Sequence, residues 1–250
     1  MKKLAFYPPR NIGLPGQIQW INPATGQPEW INPPMVDDFC ASGIGTGGIG
    51  WTTTVANSGT VTVGGNVQGH YGVAALQSNA LSNGTAVLRT VQNSGTGGGR
   101  KQRLLMCVQT PSALSDGTDR YQLWAGTGNS TGAEPTHGVY FDYIDTLNSG
   151  IWTPKTANGG SRTTASGGTD ITVVAATWYW LYIEYDGIVA KFWVATEVAG
   201  LPGRPGAFTF VGSSSTNLPT ANQYGLNFVM LKSLGTNNRS LTVDKVLFGV

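Results

Sequence analysis

The sequence predicts an all-β sandwich, and three observations lead to this fold class. Glycine supplies 36 of the 250 residues, whereas charged residues make up only 11%, against about 25% in an average globular protein. Long helices normally carry exposed lysine, glutamate and arginine, so this composition argues against α and α/β folds. From residue 36 onward, short β-prone runs alternate with Gly, Asn and Ser, at the spacing typical of sandwich strands.

The predicted strands form a jelly-roll, in which two antiparallel sheets pack face to face in a single domain of residues 36–250. The strands are 49–55, 60–63, 71–76, 85–91, 103–109, 121–125, 138–144, 170–174, 178–185, 188–195, 207–211, 224–231 and 240–248. We expect one helical turn at 111–115, and loops at 43–48, 95–99 and 157–168, where glycine is dense. A domain of this length buries enough surface to need no disulfide.

The clearest element is a hairpin over residues 178–194. Trp178, Trp180, Tyr182 and Glu184 alternate with Tyr179, Leu181, Ile183 and Tyr185, so each set lies on its own face of a strand. Asp186-Gly187 supplies a two-residue turn, and the second strand begins at Ile188.

Residues 1–35 differ from the rest and are predicted to form an extended arm. Seven of the 13 prolines fall within the first 34 residues; proline fixes φ and removes a backbone donor, which excludes a helix or a central strand. Trp20-Ile21-Asn22-Pro23 recurs as Trp30-Ile31-Asn32-Pro33, and a turn is predicted between the repeats at residues 23–26.

Several runs resemble a known family. They are Trp51, residues 70–76 (HYGVAAL), 84–88 (GTAVL), 180–187 (WLYIEYDG), 191–194 (KFWV) and 241–248 (LTVDKVLF). Together they resemble the concanavalin A-like lectin/glucanase sandwich, most closely the version found in structural proteins of tailed-phage particles. The resemblance implies a virion protein that assembles in the host cytoplasm, faces the particle exterior and forms a homo-oligomer, with trimers the usual state.

The charge balance excludes other classes of partner. The net charge is +2, from 15 cations and 13 anions without a dense basic block, so no nucleic-acid partner is expected.

The chain contains no run of 18 apolar residues, and the apolar segment among its first residues is too short for a signal peptide. We therefore expect a soluble protein with no membrane partner. Cys40 and Cys107 are predicted to be buried free thiols.

Catalytic and metal-binding patterns are weak, and we expect neither an enzyme nor a cofactor. A retaining glucanase needs two carboxylates on one face, about 5–5.5 Å apart. Asp142 and Asp145 would point to opposite faces of a strand, and Asp186 is explained by a turn although it shares a face with Glu184. Neither His70 nor His137 has a second ligand residue at the spacing of a metal-binding motif. Both are therefore predicted to be ordinary hydrogen-bonded histidines.

The tryptophans suggest two binding functions. In the arm, Trp20, Ile21, Pro23, Trp30, Ile31 and Pro33 have no predicted core of their own, so they are expected to anchor the chain to the major capsid protein, another virion protein or a second copy. The predicted function is therefore a non-enzymatic capsid decoration or cement protein. The alternative is a glycan- or receptor-binding module of a tail fibre or spike, with Trp124 and Trp152 as sugar-binding residues because Gly- and Asn-rich loops adjoin both. A polysaccharide-degrading enzyme is the third interpretation.

Overall fold

The computed structural model describes residues 18–21, 25, 28–31, 35–37, 50–90, 101–144, 150–220 and 225–249. None of these residues is helical, so this part of the chain contains no helix that could cross a membrane. The strands in chain order are β1 (Ile18–Ile21), β2 (Pro28–Ile31), β3 (Met35–Asp37), β4 (Trp51–Ala56), β5 (Thr60–Val67), β6 (His70–Gln77), β7 (Thr85–Thr90), β8 (Gln102–Gln109), β9 (Arg120–Gly128), β10 (Gly138–Tyr143), β11 (Thr153–Asn158), β12 (Ser161–Thr164), β13 (Ser166–Gly167), β14 (Trp178–Tyr185), β15 (Ala190–Thr196), β16 (Thr209–Ser214), β17 (Gly225–Leu234) and β18 (Ser240–Gly249).

The strands form two antiparallel sheets, which confirms the predicted jelly-roll sandwich. One sheet has seven strands in the order β12-β11-β10-β9-β17-β7-β4. The other, which we call the large sheet, runs β13-β16-β15-β14-β8-β18-β6-β5, with β3 also paired to β18. The main core lies between them: Leu123 and Phe141 come from the seven-stranded sheet, and Met106 and Leu181 from the large sheet. Each sheet therefore has an inner face toward this core and an outer face away from it.

The hairpin of β14 and β15 is confirmed, with one correction at its turn. Tyr185 pairs with Ala190, so four residues connect the strands and the return strand starts at Ala190, two residues later than predicted. The reason lies in Asp186, whose carboxylate accepts hydrogen bonds from the amides of Ile188 and Val189 at 2.8 and 2.7 Å. These bonds compete with the strand ladder and keep both residues in the turn.

Three local predictions were wrong. Residues 157–168 were expected to form a loop but contribute to β11, β12 and β13, and the glycines at 159 and 160, both with positive φ, form a tight turn between β11 and β12. Residues 170–174 form no strand, because their amides bond to separate segments: that of Val173 to Gly150, and that of Val174 to the Tyr179 hydroxyl. Residues 111–115 are all described, and they do not form the predicted helical turn.

The amino-terminal segment departs from a simple extended arm, because its repeats pair with each other. β1 and β2 are antiparallel, with Ile18 opposite Ile31 and Trp20 opposite Glu29, and Thr25 lies in the predicted turn. This hairpin is a two-stranded sheet of its own. β3 instead joins the large sheet beside Val246–Phe248 of β18.

Candidate functional sites

The predicted anchor residues divide between the described and undescribed parts of the arm. Trp20 and Ile21 lie in β1, and Trp30 and Ile31 lie in β2. Pro23 and Pro33 lie outside the described residues. A single two-stranded hairpin is only marginally stable in water unless a further surface packs against it. Among the residues that the structure describes, β1 and β2 form strand pairs only with each other, so this hairpin is a candidate attachment element.

The two tryptophans predicted to bind sugar are both buried. Trp124 and Trp152 are each only 1% exposed. Trp152 lies in the main core, where its ring meets Tyr179 edge-on at 5.6 Å. Trp124 lies on the outer face of the seven-stranded sheet, packed with Tyr140 and Val229. A sugar-stacking platform needs an exposed ring, so these placements remove the exposure on which the assignment depended, and core packing accounts for both side chains.

A charged network surrounds Trp124 on this outer face, under a loop of residues 129–137. The Lys155 ammonium lies 2.5 Å from the Asp142 carboxylate and 2.8 Å from Glu134 of the loop. The Tyr140 hydroxyl donates to Glu134 at 3.0 Å, and Arg162 lies 3.3 Å from the same carboxylate. We call these five residues the Asp142 network. Glu134 and Lys155, which are half-buried, and Arg162, which is exposed, form its edge, where a polar ligand could reach charged groups.

Burial governs the protonation of this network. Asp142 is almost fully buried, and loss of hydration raises its pKa to about 6 although Lys155 opposes the shift. Burial and the neighbouring Glu134 carboxylate also raise the pKa of the Tyr140 hydroxyl. The pKa of Lys155 is raised because the attraction of Asp142 and Glu134 outweighs its desolvation. The network therefore holds an ion pair at neutral pH.

The remaining candidate catalytic carboxylates do not converge. Asp142 occupies the outer face of the seven-stranded sheet, whereas Glu184 lies on the large sheet, where it contacts Arg103 at 3.5 Å. The two side chains are thus on opposite sides of the sandwich. Asp186 caps its turn as predicted, and Asp145 lies outside the described residues.

The two histidines have different surroundings. His137 makes ordinary hydrogen bonds, accepting from the Gly159 amide at 3.2 Å, as predicted. His70 is buried, with Nδ1 2.8 Å from Asp244 and Nε2 3.0 Å from Glu197, and its ring stacks on Trp178 at 3.8 Å. Burial lowers the pKa of His70, but its bonds to the two carboxylates outweigh this and raise the pKa overall. Cys107, a buried free thiol as predicted, lies in the same cluster; Cys40 lies outside the described residues.

Sequence reasoning missed both clusters, because their members come from separate strands and loops. Lys155 and Arg162 lie in the segment around the wrongly predicted loop, and Glu134 lies between β9 and β10. His70, Cys107 and Glu197 come from three distant parts of the chain. The only local signal was the presence of charged residues in a chain that has few of them.

Comparison with known proteins gives a family and a fold. The SO2946-like, C-terminal domain family matches residues 69–244, and no curated protein matches the chain. The crystal structure of a protein of unknown function, SO2946 from Shewanella oneidensis MR-1, is 14% identical, with a TM-score of 0.60 over 86% of this chain and 84% of that one.

Two further structures share the fold. An endo-β-1,4-glucuronan lyase from the fungus Trichoderma reesei is 13% identical, with a TM-score of 0.50 over 78% of this chain and 90% of that one. The Emp47p carbohydrate recognition domain is 11% identical, with a TM-score of 0.50 over 80% and 87%. At these identities, the likenesses establish the concanavalin A-like sandwich and nothing about substrate or ligand.

Proposed function

Because this chain belongs to the SO2946-like, C-terminal domain family, which has a jelly-roll fold but no function in its name, we propose its function from its own features. The proposal is a non-enzymatic structural protein of a phage particle, most specifically a capsid decoration or cement protein. The sandwich lies on the particle exterior. The segment before β3 attaches it to the major capsid protein, another virion protein or a second copy of this chain.

The observation that carries this proposal is the separate β1–β2 hairpin. Each strand contains the Trp-Ile half of one copy of the tandem repeat, and the two strands pair with each other, with Gln19 opposite Trp30. Tryptophan is among the residue types enriched at the positions that carry most of the binding energy in protein interfaces. A hairpin of this size gains stability when a partner covers it or extends its sheet. Docking onto another protein therefore supplies the stabilisation that two strands lack alone.

The proposal is tested by reconstitution on particles assembled without this protein. The full chain should bind such particles during sedimentation, and Trp20→Ala/Trp30→Ala should reduce its occupancy at least about tenfold, the loss expected for interface tryptophans. Ile188→Ala is the matched control, because Ile188 is a strongly exposed apolar residue on the sandwich. Wild-type occupancy of the double variant would refute attachment through the hairpin.

A glycan- or receptor-binding module of a tail fibre or spike is the second candidate, and the Asp142 network favours it. Glu134 and Arg162 keep 25% and 32% of their side chains exposed, and charged groups of this kind bind sugar hydroxyls and uronate carboxylates. The test is an oligosaccharide array followed by titration of tryptophan fluorescence. Arg162→Gln should weaken any binding found, whereas the exposed Arg120→Gln should not. A flat array result would eliminate this candidate.

A further inference from the structure

A second cluster, on the outer face of the large sheet, brings together three different ligand types. His70 begins β6, Cys107 lies in β8, and Glu197 directly follows β15. One donor atom from each, the Nε2 or Nδ1 of His70, the Sγ of Cys107 and a carboxylate oxygen of Glu197, lie within 4.8 Å of one another. His70 and Cys107 are 2% and 0% exposed. Imidazole, thiolate and carboxylate are the ligands from which zinc sites are built.

The distances suit a tetrahedral ion after a small contraction. Zinc lies about 2.0–2.2 Å from nitrogen and oxygen ligands and about 2.3 Å from sulfur. In a tetrahedral site, the ligand atoms themselves are then about 3.3–3.6 Å apart. His70 Nε2 and Glu197 already approach to 3.0 Å, so an ion between them needs only a slight separation. The thiol sulfur lies within 4.8 Å of the other two ligand atoms, so it needs to move inward by about 1.4 Å at most.

The surrounding contacts hold the ligands in a binding orientation. Asp244 lies 2.8 Å from His70 Nδ1, which places a proton on Nδ1 and directs Nε2 toward Glu197; metal-binding histidines have such a carboxylate partner. Stacking on Trp178 fixes the imidazole plane. The Gly203 amide donates to Glu197 Oε2 at 2.7 Å and orients the carboxylate. His70 and Glu197 are therefore positioned before an ion binds.

We propose that His70, Cys107 and Glu197 bind one zinc-like divalent cation, with Asp244 as the carboxylate that orients His70. Binding replaces the proton shared by His70 Nε2 and Glu197 and the proton of the Cys107 thiol, so two protons leave for solvent as one cation enters. Two protons are exchanged for two positive charges, so the net charge of the buried cluster, which includes the Asp244 carboxylate, does not change. The ion ties β6, β8 and the end of β15 together.

The experiment uses the full chain, freed of metal with a chelator and titrated with Co²⁺ and Zn²⁺. Co²⁺ should bind at one equivalent and give the visible absorption bands of a four-coordinate ion together with a near-ultraviolet thiolate-to-cobalt band. Zn²⁺ should displace the Co²⁺ and abolish both sets of bands. An unbuffered titration should release about two protons per ion. Binding should also raise the unfolding temperature, since it stabilises the folded state alone.

Variants identify the ligands. Cys107→Ser should abolish the thiolate band, Glu197→Gln should weaken binding strongly, and Asp244→Asn should lower affinity about 10–100-fold. Cys40→Ser and His137→Gln are the matched controls and should bind as the wild type does. Should Cys107→Ser fail to fold, Glu197→Gln gives the same decision, because Glu197 is only partly buried. A missing thiolate band in the wild type, or Co²⁺ spectra unchanged by Glu197→Gln, would overturn the proposal.

Discussion

Replacing Lys155 by methionine is the sharpest test of the Asp142 network. Asp142 keeps only 2% of its side chain exposed, and Lys155 is the cation in contact with it, at 2.5 Å. Methionine keeps the aliphatic stem but removes the ammonium, so the carboxylate stays buried beside Glu134 without a counter-charge. Breaking a buried pair in this way costs about 3–5 kcal/mol. We expect a loss of this size in the free energy of unfolding at about pH 8.

The loss should depend on pH, since Asp142 can escape the penalty by binding a proton. Lys155 lowers the pKa of Asp142, which is about 6 even with the ammonium present, so it rises further in Lys155→Met. At about pH 5 the variant's carboxyl is neutral, and the loss should fall to about 1–2 kcal/mol, the cost of an imperfectly paired polar group.

Urea unfolding followed by tryptophan fluorescence at both pH values measures this difference. Asp142→Asn/Lys155→Met is the control, because it removes the buried charge and should recover much of the stability at the higher pH. Equal losses for Lys155→Met at the two pH values, or a loss below about 1 kcal/mol at the higher one, would refute the assignment of a buried, charge-paired carboxylate.

Three further predictions use the same unfolding assay. The pKa of Asp142 is raised from 3.8 to about 6, so the folded state binds this proton more tightly than the unfolded state does. The free energy of unfolding of the wild type, relative to that of Asp142→Asn, should therefore fall by up to about 3 kcal/mol as the pH rises from 4 to 7. A difference between the two proteins that does not change with pH would contradict this. Gly138→Ala should lower the free energy of unfolding by at least about 2 kcal/mol, because Gly138 has a φ of +156 and the new Cβ would lie 2.1 Å from the Thr127 carbonyl oxygen. Gly117→Ala is the control: its Cβ meets no atom within 4 Å, so the change should be nearly neutral. Trp152→Ala should cost about 3–5 kcal/mol, and a small loss would mean that the ring is not in the core.

The sequence was sufficient to predict those strands in which apolar residues alternate with polar ones or form a continuous run. The predicted bounds of β14 are confirmed, because both of its faces carry large apolar side chains. One face packs in the main core, and the other packs in the cluster on the outer face of the large sheet. β11 and β12 were missed because Thr, Ser, Lys and Asn give no alternating apolar signal. They form strands through pairing: β11 adds to β10, and β12 adds to β11. Tertiary context thus determines strands that local propensity does not specify.

The candidate sites were less predictable than the fold. A metal motif can be read from sequence when its ligands share one helix or loop, but His70, Cys107 and Glu197 meet only because β6, β8 and β15 lie in one sheet. The same holds for Glu134 and Lys155. Residue type alone predicted sugar binding for Trp124 and Trp152. Whether a tryptophan can bind sugar is decided by its exposure, and the exposure of these two depends on the loop and the facing sheet that cover them. The repeated tryptophans of the arm were visible because the repeat is local.

Hydrogen–deuterium exchange over residues 18–31 tests the proposed attachment most directly, in the free protein and on particles assembled without it. We expect the β1 and β2 amides to exchange fast in the free protein, as in a marginal hairpin, and to become strongly protected on the particle. Amides of β14 serve as the internal reference and should be protected in both states. Hairpin protection equal to that of β14 in the free protein, or fast exchange that persists on the particle, would contradict the claim that this hairpin attaches the sandwich.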